Sequence, residues 1–154
     1  MTTTTTLLER LTAGPGRRDR VLDDCVRMID EEVASKGGLM ALPLKAAYKV
    51  VKGVRPGFVR AAMDFLLDDF CRALEPFYRT WSDTAAETRA PLGDALRKEQ
   101  ERVADALLSI TDARAARSTH TTVKALYEKL RGAAKGHVVA ALPRLGRTIE
   151  PYLR

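Results

Sequence analysis

At 154 residues, 45% of them hydrophobic and 30% charged, the chain is long enough to bury the core of one globular domain, and its composition excludes disordered, fibrous and collagen-like classes. No apolar run approaches the roughly 18 residues of a membrane span, and the Thr-rich start lacks the basic head and long apolar core of a signal peptide, so the cytoplasm is the expected compartment. The net charge of +6 is concentrated late, where Lys124, Lys129, Arg131, Lys135, Arg144, Arg147 and Arg154 stand against Glu128 and Glu150 alone, an excess that serves solubility and can also attract an acidic protein, anionic lipid or nucleic acid.

In chain order, the Thr run and the breaker cluster "AGPGRR" at 13–18 leave only "LLERL" able to form a helical turn, and residues 1–17 are expected to be flexible. Val21, Leu22, Cys25, Val26, Met28, Ile29 and Val33 follow three-and-four spacing and predict a helix over about 18–36, stopped by Gly37 and Gly38. Pro43 suits the first turn of a second helix over about 43–53, which Gly53 and the Arg55-Pro56 step should end. From Val59 to Trp81 the apolar series Ala62, Met63, Leu66, Leu67, Phe70, Leu74 and Phe77 predicts the longest helix. The polar stretch 82–91 reads as a linker.

Leu92, Leu96, Val103, Leu107 and Ile110 predict a helix over about 92–117. "RSTHTT" offers Ser or Thr caps for another over 121–132, carrying Val123, Leu126, Tyr127 and Leu130. A last segment through Val138, Leu142, Leu145 and Ile149 is expected to be kinked or divided by Pro143. With no strand pattern anywhere, the fold class is all-α, a six-helix compact bundle in one domain.

The segment "LKAAYKVVKGVRPGFVRAAM" (44–63) aligns without a gap on "VKALYEKLRGAAKGHVVAAL" (123–142), and eight of twenty positions are identical, among them Tyr48 with Tyr127, Gly53 with Gly132 and Gly57 with Gly136. "RVLDDCVRMID" (20–30) matches "RVADALLSITD" (102–112), and "LEPFY" (74–78) matches "IEPYL" (149–153), in the same order. These matches predict a duplicated three-helix unit, about 18–81 and 92–153, with pseudo-two-fold symmetry and each shared Gly pair in one backbone role. Neither unit of about 60 residues buries enough surface alone, so each should pack on the other.

"DEEVASKGGL", "KAAYKVVKGVRPGFV", "ALEPFY" and "VADALLSITDARA" together resemble a family of small helical proteins of unknown function in high-GC bacteria, over about residues 20–152. The resemblance implies an all-helical cytoplasmic protein and carries no activity or catalytic residue.

The chemistry-bearing residues point away from an enzyme. Cys25 and Cys71 lack C-x-x-C spacing and read as buried reduced thiols. His120 and His137 are not at metal-ligand spacing, and Asp23, Asp24, Glu31 and Glu32, like Asp64, Asp68 and Asp69, form carboxylate faces without an E-x-x-H pair, so no metal or cofactor is expected. The leading expectation is a binding protein that contacts an acidic protein or polyanion through Lys45, Tyr48, Lys49 and Lys52 and, in the second half, Lys124, Tyr127 and Arg131. Nucleic acid is the weaker partner, since no helix-turn-helix or aromatic-basic platform accompanies the charge. The alternative is a carrier or sensor holding an apolar small molecule between the halves beside Phe70, Phe77, Tyr78 and Trp81.

Overall fold

The structure is a computed structural model that describes residues 5–154. Among these the chain is helical throughout, with α1 (Leu7–Thr12), α2 (Arg17–Ser35), α3 (Leu42–Val54), α4 (Phe58–Asp83), α5 (Leu92–Lys98), α6 (Gln100–Arg117) and α7 (Thr121–Ile149), and with short 3-10 turns at Leu39–Ala41 and Glu150–Leu153. The six helices expected from periodicity thus become seven α-helices. No strand occurs among the described residues.

Three expectations are corrected. Residues 7–12 are not loose: Leu7 and Leu11 are 1% and 2% exposed, and α1 is anchored by a reciprocal capping box in which Thr6 and Glu9 each bond the other's backbone N–H. The T-x-x-E spacing of that box is legible at 6–9. The frayed start expected for residues 1–4 lies outside the described residues. The helix expected over 92–117 is broken at Glu99, whose backbone (φ −110°, ψ 27°) leaves the α region and separates α5 from α6.

The third correction concerns the ends of the repeat. α7 runs through Gly132, Gly136 and Pro143 as one 29-residue helix, so it, and not the 26-residue α4, is the longest. In the first half the chain breaks, because Pro56 cannot continue a helix and forces Arg55 out of the α region to φ −140°, ψ 87°. Gly57 then takes φ +79° to start α4. Where Arg55 and Pro56 stand in the first half the second has Ala134 and Lys135, both compatible with a helix. Gly57 and Gly136 therefore do not share a backbone role, and Gly53 and Gly132 both lie inside helices rather than ending them.

The core draws on every helix, α3 giving only Ala47, and Leu7, Leu22, Val21, Cys71, Val103 and Leu142 are the most deeply buried large side chains. α1 and α5, of six and seven residues, are too short to persist alone, and each is held at its first N–H by a distant carboxylate. Glu75 Oε2 accepts from Leu7 N at 2.8 Å, and Glu150 Oε1 accepts from Leu92 N at 2.6 Å. A carboxylate there satisfies an orphan donor and meets the positive end of the helix dipole.

α5 crosses α7 backbone against backbone. A Cβ on Gly93 would stand 3.1 Å from the Pro143 carbonyl oxygen, and one on Gly146 would fall on the Gly93 backbone. Gly146→Ala is expected to cost about 2–3 kcal/mol through overpacking, a drop in melting temperature on the order of 5–10 °C. Gly132→Ala, at a helical position with nothing within 4 Å, should instead gain roughly 0.5–1 kcal/mol. Thermal unfolding followed by circular dichroism reads both, and equal effects from the two substitutions would contradict the close crossing.

Candidate functional site

An apolar cavity of about 310 Å³ lies between the two halves, lined from α2, α4, α6 and α7, with Leu44 contributed by α3 and Leu11 by α1. Its floor is made of buried chains such as Leu67, Cys71 and Leu142, whereas the half-exposed Val33, Leu44 and His137 mark its mouth. The lining is set by helical periodicity: Cys25, Met28, Ile29 and Val33 on α2 share one stripe, and Val138, Ala141, Leu142 and Leu145 on α7 share another.

Charged groups stand at the mouth only, and Thr111, which also lines the cavity, has its hydroxyl engaged with Leu108 O and the Tyr127 hydroxyl. Lys36 Nζ lies 3.2 Å from Glu32 Oε1, and Glu32 Oε2 accepts from Arg144 Nε at 2.9 Å while Arg144 also reaches Glu31. Glu32 and Lys36 are 13% and 12% exposed at their side chains, a part-buried pair whose charges are mutually satisfied. Burial and the neighbouring Lys36 charge hold the His137 imidazole below its ordinary range, so it is neutral at pH 7. Inside, Cys25 and Cys71 are free thiols. Burial first, and then nearby carboxylates, push Cys25 up to about 11 and Cys71 up to about 12, which leaves both as inert apolar lining.

Of the aromatics expected to flank such a ligand, only Phe70 lines this cavity. Phe77 and Trp81 line a second, more polar recess of about 350 Å³ at the far end of α4, where the Arg89 guanidinium lies 3.9 Å over the Trp81 ring. Tyr78 is buried against Trp81 and faces neither. Cys25, Met28, Met63 and Leu142 are the liners that periodicity alone assigns to packing, because nothing in a helical stripe distinguishes a filled core from a hollow one.

The basic Tyr-containing helices are engaged internally. The Tyr48 hydroxyl donates to Asp30, and Lys52 Nζ lies 3.2 Å from the same carboxylate oxygen. In the second half the Tyr127 hydroxyl donates to Asp112 at 2.5 Å, and Arg131 grips both Asp112 oxygens at 2.7 and 3.0 Å. The two aspartates were already matched in the sequence repeat. Asp30 is held below the usual carboxylate range chiefly by the Tyr48 hydroxyl, and Asp112 chiefly by Arg131.

Lys45 reaches no further than the Ala34 carbonyl, at 3.5 Å. Among the described residues no carboxylate lies within ion-pair distance of Lys45, Lys49 or Lys124. The expected carboxylate faces find arginines: Asp64 and Asp68 pair with Arg18, Asp69 with Arg72 and Arg114, and Asp23 with Arg60. The cap of α7 is His120, whose Nδ1 accepts from Val123 N, rather than a Ser or Thr.

A family model described as a "Family of unknown function (DUF6918)" matches residues 7–153, and the chain belongs to that family. No curated protein and no solved structure matches the chain.

Asp112 has a lowered folded pKa, so its contribution to stability is present above the unfolded carboxylate value of about 3.9 and is lost as pH falls through the lower folded value. Asp112→Asn is expected to cost about 1 kcal/mol at pH 7, modest because the pair is well exposed, and to cost nothing once the wild-type carboxylate is protonated. Urea unfolding of both proteins across pH 2–7 tests this. The thiols give a second readout: with folded values near 11 and 12, native Cys25 and Cys71 should react with a charged aromatic disulfide reagent at pH 8 on the order of a hundredfold and a thousandfold slower, respectively, than an unperturbed thiol. Full reactivity should return in denaturant.

Proposed function

We propose that the protein binds a small apolar molecule in the cavity between its halves, as a carrier or sensor and not as an enzyme. The observation that supports the reading is a 310 Å³ space lined by carbon, with its few charges neutralised at the mouth. The space opens to solvent at its mouth, so its apolar walls face water, and a ligand that covers them gains the free energy of apolar burial and packing contact. An engineered apolar cavity of about 150 Å³ takes benzene, so the space here fits roughly twice that: a two-ring hydrocarbon or a medium-length acyl chain. Glu32, paired to Lys36 and Arg144, disfavours a ligand whose charge enters first, and the neutral His137 offers one hydrogen bond to a polar tip.

The paired motifs also support a duplicated origin for the fold, with the first unit starting at α1 rather than at residue 18. The Tyr48–Asp30–Lys52 cluster has its counterpart in Tyr127–Asp112–Arg131, and Glu75 on Leu7 has its counterpart in Glu150 on Leu92. Three polar contacts that join corresponding positions in each half are harder to obtain by chance than shared helix composition. In this reading the cavity is the seam left where two related units meet.

Titration with the neutral fluorophore N-phenyl-1-naphthylamine, together with native mass spectrometry of the purified protein, tests the ligand reading. Saturable one-to-one dye binding is expected. Ala141→Phe, which projects a ring into the cavity, should abolish it while the helical circular dichroism is retained. Undiminished binding to the folded variant, or none to the wild type, would overturn the proposal.

A further inference from the structure

Among the described residues, α3 and the turn before it carry all the exposed large apolar side chains except Phe65 of α4. Only Ala47 of the α3 residues is buried, whereas Leu42, Val50 and Val54 are 56%, 45% and 59% exposed, and the preceding turn leaves Leu39 and Met40 at 83% and 80%. Leu42, Ala46, Val50 and Val54 recur every four residues and so form one outward stripe. Lys45 and Lys49 recur along the adjoining edge, and Arg55 follows at the end.

This exposure is not a by-product of the helix's role in the fold. In the corresponding first part of α7 the stripe positions carry Thr121, Ala125, Lys129 and Ala133, with Glu128 in place of the middle lysine. The connection before α3 is also longer than that before α7, Lys36–Ala41 against Ser118–His120, and the added residues include the two most exposed large apolar side chains among the described residues.

We propose that α3 and the Leu39–Ala41 turn dock the protein on an anionic lipid surface. A helix that lies in a membrane interface needs apolar chains to enter the acyl boundary and lysines beside them to meet anionic headgroups. Lys45 and Lys49 have no carboxylate partner among the described residues, so their charge is available to such a surface. Nucleic acid would leave the leucine, methionine and valine stripe in water, and a bilayer satisfies both halves of the face at once. The helix is tethered to α2 by the Tyr48 and Lys52 contacts with Asp30, on the side away from the stripe, so docking requires no unfolding. The proposal does not depend on the cavity holding a ligand, although Leu44 of the same helix stands at the cavity mouth.

Flotation with phosphatidylcholine vesicles, with and without roughly a third phosphatidylglycerol, tests it on the full chain. The wild type should float with the anionic vesicles, weakly with the neutral ones, and less as salt is raised. Lys45→Glu with Lys49→Glu should lower partitioning at least thirtyfold, since each lysine near the surface is worth about fivefold. Leu42→Ser with Val50→Ser should lower it about tenfold. All four side chains are outside the core and the cavity, so both double variants should keep the wild-type melting temperature and dye binding, which separates failure of docking from failure of the ligand reading. Absence of flotation, flotation indifferent to lipid charge, or variants that float like the wild type would overturn the proposal. A wild type that ignores vesicles and binds poly-glutamate through the same lysines would overturn it in favour of an acidic polypeptide.

Discussion

How closely α5 can lie on α7 is limited by two glycines, and the arrangement of the second half follows from that limit. With hydrogen in place of a side chain at Gly93 and Gly146, the helix backbones touch, and α5 sits deep enough for Leu92 and Leu96 to be 2% exposed. The same seating brings the Leu92 N–H to Glu150, which closes the chain end over the core. It also places the Gly93 Cα against Pro143, at the position where α7 lacks an internal hydrogen-bond donor. α7 therefore passes Pro143 without dividing, because a neighbouring backbone supports it there.

The continuous α7 forms one wall of the cavity, together with α2, α4 and α6. Its packing is tight at the Gly93 crossing, where backbones touch, whereas Val138, Ala141, Leu142 and Leu145 line the cavity. The polar groups at the mouth complete the arrangement by pairing with each other, so that burial of Glu32 and Lys36 leaves no charge without a partner.

The basic helices show how a surface pattern can mislead in one half of its residues and inform in the other. Tyr48, Lys52, Tyr127 and Arg131 are spent on Asp30 and Asp112, tying α3 to α2 and α7 to α6. Such pairs are partly exposed and individually modest, yet they set the orientation of α3, which has almost no buried surface of its own. With Tyr48 and Lys52 turned inward, Lys45, Lys49 and the Leu42–Val54 stripe face out. What remains unspent on α3 is a mixed basic and apolar face, a different chemistry from the purely basic one that the lysine spacing suggests.

The chain by itself determined the all-helical class, the stripes of α2 and α4 and the break at Pro56, because apolar periodicity and the lost donor of proline act over a few residues and are written where they act. The matched Tyr, Asp and Glu positions were legible as well, through their recurrence in the same order. The capping box at Thr6 and Glu9 was present in the same local terms, though its short helix is held by Glu75, some seventy residues away. Tertiary structure alone decided which lysines are neutralised, whether Gly132, Gly136 and Pro143 end a helix or are carried through it, and whether the stripes meet in full contact or leave a hollow. Those outcomes depend on which backbone approaches which, and helix spacing along one chain carries no measure of the distance between two helices.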